Sequence, residues 1–140
     1  MQNNTLLLSI RPEYAAKIFN GQKGVELRKV KPNLHPGDVV LVYVSSPIKE
    51  LQGTFVVEKI IEAAPEELWE KVRHNAGISR QEFDSYYATS PKGYGIVLKT
   101  PLTLSNPISL TELKKLWQNF HPPQSYRYLT NFELALISPF

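Results

Sequence analysis

The residues best suited to chemistry in this sequence lie in one stretch, GQKGVELRK, from Gly21 to Lys29. Lys23, Glu26 and Arg28 bring an ammonium, a carboxylate and a guanidinium close together along the chain. Arg28 can present a planar fork to a phosphate or a base edge, whereas Lys23 offers a compact point charge. Together they suit an anionic ligand. Glu26 would repel a bare phosphate, so it implies an acceptor for the exocyclic amine of a base, or a group that holds the two cations in place. The plainer account is a solvated strand face with an ion pair that adds little stability.

Two further stretches carry candidate contacts. In PPQSYRYL, residues 122–129, two prolines stiffen a loop that offers Gln124, Ser125, Tyr126 and Arg127, the donors, acceptors and ring that single-stranded RNA recognition uses. For Tyr126 and Arg127, base recognition and simple anchoring of the loop stand level, and Tyr128 beside Leu129 reads as an anchor. In YVSSPIK, Ser45, Ser46 and Lys49 follow an apolar strand where the rim of a cleft would lie, although serines before a proline are also ordinary turn residues. Arg11 opens the basic segment that leads to Lys23.

The elements that must position these groups follow from periodicity and punctuation. TLLLSI, residues 5–10, reads as a first strand, and RPEYAAKIFNG as a short helix with Pro12 at its first position, Gly21 as its stop and Tyr14, Ala15, Ile18 and Phe19 as its buried stripe. The GVELRK strand puts Val25 and Leu27 toward the core and Gly24, Glu26 and Arg28 on the other side, Gly24 leaving room for a close approach. Strict alternation puts Lys23 opposite Glu26, so the two converge only if Gly24 breaks the pleat. VVLVYVSS is a nearly continuous apolar run, expected as a central strand, and LQGTFVVEKII continues the sheet with Gly53 as a bulge or bend. Helices follow over PEELWEKVRHNAG and over SRQEFDSYY, the second opened by a Ser79/Glu82 capping box. KGYGIVLKT returns to strand, SLTELKKLW repeats the box with Ser109 and Glu112, and NFHPPQSYRYL is a loop into a short apolar terminus. Trp69 and Trp117, at helical spacing among leucines and valines, are core residues.

Length and composition bound the possibilities. The chain has 140 residues, 42% hydrophobic, enough for one compact domain over residues 1–140. It has no cysteine, and its three histidines are scattered without ligand spacing, so no metal or other cofactor is expected. No stretch reads as a signal peptide or a membrane span, and the expectation is a cytoplasmic monomer. Net charge is +3, unevenly spread. Residues 11–37 hold six bases against two acids, a net +4, and residues 49–84 hold five bases against eight acids, a net −3. A basic patch on one side suits a polyanion. The nucleotide-binding and hydrolase signatures GxxxxGK[ST], GxGxxG and GxSxG are absent. Strands with short connections, one early helix and a later helix pair fit an α+β domain on a small mixed sheet curved into a barrel, with Val25, Leu27, Leu41 and Tyr43 directed into packing.

LLLSIRPEYAAKIFNGQKGVELRK, with HPGDVVLVYVSSPIKELQGTFVVEKII and the later KGYGIVLK and PPQSYRYL, resembles the ASCH domain family, relatives of the PUA-like RNA-binding barrels. The likeness covers nearly the whole chain, and Gly21, Lys23, Glu26 and Arg28 fill the four places of the family's Gly-x-Lys-x-x-Glu-x-Arg string. The resemblance implies a PUA-like mixed β-barrel with flanking helices, whose cleft holds RNA or a modified nucleoside. Some relatives resemble ribonucleases or modules that contact the transcription and translation machinery. Others resemble amidohydrolases that deacylate a cytidine amine through a Lys, a Thr and a Glu; this sequence keeps Lys23 but has Glu26 where they carry Thr. The expectation is an RNA- or nucleoside-binding domain using Arg11, Lys23, Glu26, Arg28, Ser45, Ser46, Tyr126 and Arg127. The alternative is a metal-independent hydrolase with Lys23 and Glu26 as its catalytic groups.

Overall fold

The computed structural model describes residues 5–137. The apolar run at the start forms β1 (Thr5–Ile10), and Pro12 opens α1 (Pro12–Phe19), whose Ala15 and Ile18 are buried. The chain leaves α1 through Gly21, at φ +86°, and enters β2 (Val25–Arg28). β3 (Val39–Val44) and the long β4 (Glu50–Ala63) follow, then α2 (Pro65–Val72) and α3 (Arg80–Tyr86). β5 (Gly93–Ser109), α4 (Leu110–Leu116), β6 (Tyr126–Tyr128) and α5 (Asn131–Leu136) complete the order.

The six strands form one mixed sheet in the order β2-β5-β4-β3-β1-β6. Only β1 and β3 pair in parallel, with α1 and β2 between them in sequence; the other neighbours are antiparallel. The sheet curls into a half-barrel. Arg28, at the end of the edge strand β2, reaches across and donates from Nη2 to the Ser9 carbonyl of β1, four places away in the strand order, at 3.2 Å. Gly53 is the bend foreseen from sequence: the β3–β4 and β4–β5 registers both shift beside it. A Cβ there would lie 2.3 Å from the Leu102 carbonyl oxygen and 2.7 Å from the Phe19 ring, so only glycine permits that approach.

The sheet's core strands are covered on both faces, which is why they read as unbroken apolar runs rather than alternating ones. Leu6, Leu8, Val40, Val42 and Phe55 pack on one face with Ala15 and Ile18 of α1. Leu7, Leu41, Tyr43 and Leu51 pack on the other with Leu113 and Trp117. A third cluster joins Val25 and Leu27 of β2 to Leu68, Val72, Phe83 and Tyr87 of α2 and α3. Val25, Leu27, Leu41 and Tyr43 are all buried, as expected.

Several boundaries differ from the sequence reading. α2 ends at Val72 and residues 73–75 form a turn, closed by the Asn75 N–H donating to the Val72 carbonyl at 2.9 Å, which frees the Asn75 and Ala76 carbonyls to meet Gly24 and Lys23. β5 runs past Thr100 to Ser109, its prolines tolerated where the β4 pairing is irregular. The Ser79/Glu82 capping box is complete, whereas at α4 only the Ser109 half forms. The region read as a loop holds β6, and the apolar terminus holds α5 with its own Thr130/Glu133 capping box.

Candidate nucleotide-binding cavity

A cavity of about 580 Å³ opens where the curled sheet brings β2 to the ends of β1 and β3. β2 and the turn before it contribute Lys23, Glu26, Leu27 and Arg28. The end of β1 and the start of α1 contribute Ser9, Ile10, Arg11 and Tyr14, and the end of β3 and its turn contribute Tyr43, Ser45, Ser46 and Lys49. Ile78 and Tyr86, Leu110, and Pro122, Pro123 and Gln124 close the remaining sides.

Lys23 and Glu26 share this cavity because the strand starts only at Val25 and Lys23 precedes it, so strict alternation never applies between them. Lys23 is only 2% exposed. Its Nζ donates to the Ala76 carbonyl at 2.7 Å and lies 5.0 Å from the centre of the Tyr14 ring. Burial pulls its pKa below 10.5, opposed by the nearby Glu26 charge. The α2–α3 turn that holds it is strapped to the α1–β2 segment through three successive carbonyls. Gly24 N–H donates to Asn75 at 2.8 Å, Lys23 Nζ to Ala76, and Lys17 Nζ to Gly77 at 2.7 Å. The space left by Gly24 is taken by the Asn75 side chain rather than offered to a ligand, since a Cβ at Gly24 would sit 3.4 Å from Asn75 Nδ2.

Glu26 is 6% exposed and forms an ion pair with Arg28, Nε to Oε2 at 3.3 Å. The angle is too oblique for a hydrogen bond, and the buried Arg28 Nε–H has no aligned acceptor. Arg28 is therefore held by Glu26 and by the Ser9 carbonyl rather than projecting freely toward an anion. The edge of β2 beyond it is closed by Tyr87, whose hydroxyl donates to the Arg28 carbonyl at 3.0 Å.

Of the residues singled out from sequence, Arg11, Lys23, Glu26, Arg28, Ser45 and Ser46 line the cavity together. Tyr126 and Arg127 do not. They belong to β6, which pairs with β1 through Leu8 and Leu7, so alternation sends them to opposite faces. Tyr126 packs on the α1-side core. Arg127 pairs with Glu133 and lies 5.5 Å from the Phe120 ring centre and 5.9 Å from that of Trp117, fixing α5. From the same motif, Pro122, Pro123 and Gln124 reach the cavity instead, held by a 2.6 Å bond from Ser9 Oγ to the Pro123 carbonyl.

Tyr14, Tyr43 and Tyr86 complete the lining, though sequence reasoning assigned Tyr14 and Tyr43 to packing alone. Burial raises the pKa of all three phenols, so they stay protonated at neutral pH. The one available signal was Ser9, a lone polar residue inside an apolar strand.

The ASCH domain model matches residues 8–98. An ASCH domain-containing ribonuclease of Zymomonas mobilis subsp. mobilis is 30% identical over 127 residues, covering 91% of this chain and 85% of its own. The crystal structure of ASCH from Zymomonas mobilis superposes with a TM-score of 0.90 at 28% identity, over 95% of this chain and 92% of that one. The human THYN1 protein, solved in complex with 5-methylcytosine containing DNA, has a TM-score of 0.61 at 15% identity over 96% and 95% of the two chains, a likeness of fold alone. The matched span runs from β1 into β5 and contains Lys23, Glu26, Leu27 and Arg28 of the cavity lining, and by the domain match and the 30% identical relative alike the chain belongs to the ASCH domain family.

Proposed function

We propose that this protein binds RNA by taking one base into the cavity, with Glu26 as the acceptor for its N–H groups. The observation that carries this reading is the state of Glu26. It is a largely buried carboxylate that lines the cavity, is charge-balanced by Arg28 at 3.3 Å, and leaves its acceptor sites to whatever enters the cavity. An ionised carboxylate only accepts hydrogen bonds, so the ligand it favours must bring donors. Base edges bring them and phosphates do not. The rings of Tyr14 and Tyr86 give the inserted base flat surfaces to lie against. The ribonuclease relative supports RNA as the polymer.

The test is fluorescence anisotropy with a labelled single-stranded RNA 12-mer. A hydrogen bond to a charged group contributes about 1.5–3 kcal/mol, so Glu26→Gln should weaken binding roughly 10- to 100-fold. Equal affinity for wild type and variant would refute the reading.

Cleavage of the bound strand is a second reading, favoured by the same relative and by the acid–base groups within the cavity. The 2′-oxygen would bond to the adjacent phosphorus as its proton passes to the Lys23 amine, whose pKa burial lowers. The P–O5′ bond would break as the Tyr43 phenol protonates O5′, and Lys49 would offset charge on the phosphorane oxygens. The products are a 2′,3′-cyclic phosphate and a 5′-hydroxyl. Mass spectrometry of the RNA ends after incubation with a chelator tests this; intact RNA would refute cleavage and leave binding standing.

A further inference from the structure

We infer that the cavity takes an internal nucleotide of a single strand, whose two flanking phosphates are held by Lys29 on one wall and Lys49 on the other. This rests on the base-binding reading above, and adds that the ligand is a strand and not a free nucleoside.

The cavity floor excludes phosphate, since Glu26 lies there and Arg28 is already committed to it. The backbone of an inserted nucleotide must therefore lie at the mouth. Other lysines of the same segments are occupied: Lys17 and Lys23 hold backbone carbonyls, and Lys31 and Lys92 share Glu62. Lys29 and Lys49 are exposed, and neither makes an ion pair among the described residues. Lys29 is not itself a lining residue, but its Nζ lies 4.6 Å from the ring centre of Tyr86, which is, so the ammonium is one aromatic ring away from the cavity and within reach of a strand that leaves it there. Lys49 lines the cavity directly. The two hang from different walls. Lys29 follows β2 beside α3, whereas Lys49 lies between β3 and β4 beside the start of α4, and β5 and β4 separate β2 from β3 in the sheet. Arg11 is the third cation at the mouth, but its guanidinium lies 6.0 Å from the ring centre of Tyr14, whose hydroxyl donates to the Glu82 carboxylate at 3.4 Å, so an acid stands beside it.

Lys49 carries a second, independent sign. Its φ is +55°, a left-handed conformation that favours glycine. The surrounding contacts enforce it: the Leu110 N–H donates to the Lys49 carbonyl at 2.9 Å, and Ile48 N–H donates to Ser45 at 3.2 Å within the same turn. A strained lysine at a cavity rim is accounted for by its charge and not by the turn, which glycine would fill with less strain.

The experiment uses the full chain, the single-stranded RNA 12-mer, a hairpin that pairs the same sequence, and the four 5′-mononucleotides as competitors. Each phosphate neutralised on a single strand contributes about −0.7 to the slope of log K against log salt. Lys29→Ala and Lys49→Gly should each flatten the slope by about 0.7, and together by about 1.4, because the two sites are separate. Lys49→Gly should melt no lower than wild type, so a loss of slope cannot be assigned to misfolding. The mononucleotides should compete at least 10-fold less well than the 12-mer, and the hairpin should bind more weakly. An unchanged slope in either variant, a mononucleotide that competes equally, or a hairpin that binds as tightly would overturn the inference. If Glu26→Gln weakens the 12-mer while the lysine variants keep the wild-type slope, the base reading stands and the clamp falls. If Glu26→Gln has no effect, or wild type binds no 12-mer, the base reading itself has failed.

Discussion

Replacing Gly77 with alanine tests whether the α2–α3 turn is what seats Lys23 in the cavity. Gly77 has φ +69°, and a Cβ placed on it would lie 2.8 Å from Lys23 Cβ and 3.0 Å from Lys23 Cγ. Two costs follow. Adopting the left-handed conformation costs alanine about 1–2 kcal/mol. The contact with Lys23 adds overpacking of about 1–3 kcal/mol, because Cβ lies next to the backbone and cannot swing away as a side-chain tip would. Gly21 supplies the control, since it too has a positive φ, +86°, but an added Cβ there meets nothing within 4 Å. Gly21→Ala should therefore lose only the backbone part, about 1–2 kcal/mol, and Gly77→Ala about 2–5 kcal/mol. Urea unfolding at equal m-values measures both. Displacing Lys23 also breaks its bond to the Ala76 carbonyl, so Gly77→Ala should weaken RNA binding where Gly21→Ala does not. If the two variants lose equal stability within about 0.5 kcal/mol, the steric seat for Lys23 does not exist and the argument is refuted.

Two other outcomes follow from the same geometry. Burial lowers the Lys23 pKa below 10.5, so the folded state releases that proton before the unfolded state does: the corresponding stability is fully present above pH 10.5 and lost as pH falls through the folded-state value. The urea midpoint of wild type relative to Lys23→Met should therefore rise with pH up to 10.5, and a flat difference from neutrality upward would contradict the burial. Thr130→Ala removes the side-chain cap on the Glu133 N–H and should cost about 1 kcal/mol, with hydrogen exchange quickening in α5; unaltered exchange there would show that the Arg127 pair with Glu133 holds the helix by itself.

What the sequence determined is local. Periodicity fixed β1, α1, β3 and the start of β4, since an apolar run or stripe has only one way to be buried. Pro12, Gly21 and Gly53 marked the start, the stop and the bend because few other residues fit those backbones. The Ser79/Glu82 box was legible because a cap is satisfied within four residues. The charged string from Lys23 to Arg28 was likewise visible as a candidate site, although its residues' partners were not.

Tertiary structure decided which groups meet. Tyr126 and Arg127 left the candidate site because three residues of an apparent loop gained a ladder with β1, an interaction between positions more than a hundred residues apart. Tyr14 and Tyr43 entered it because one side chain can both pack against a core and reach a cavity, a distinction that periodicity does not carry. Arg28 turned from a free cation into the partner of Glu26 and Ser9 only because the sheet curls far enough to bring β2 to β1. The burial of Lys23 depends on a turn some fifty residues downstream, and no local pattern encodes a contact whose two halves are joined only by the closing of the fold.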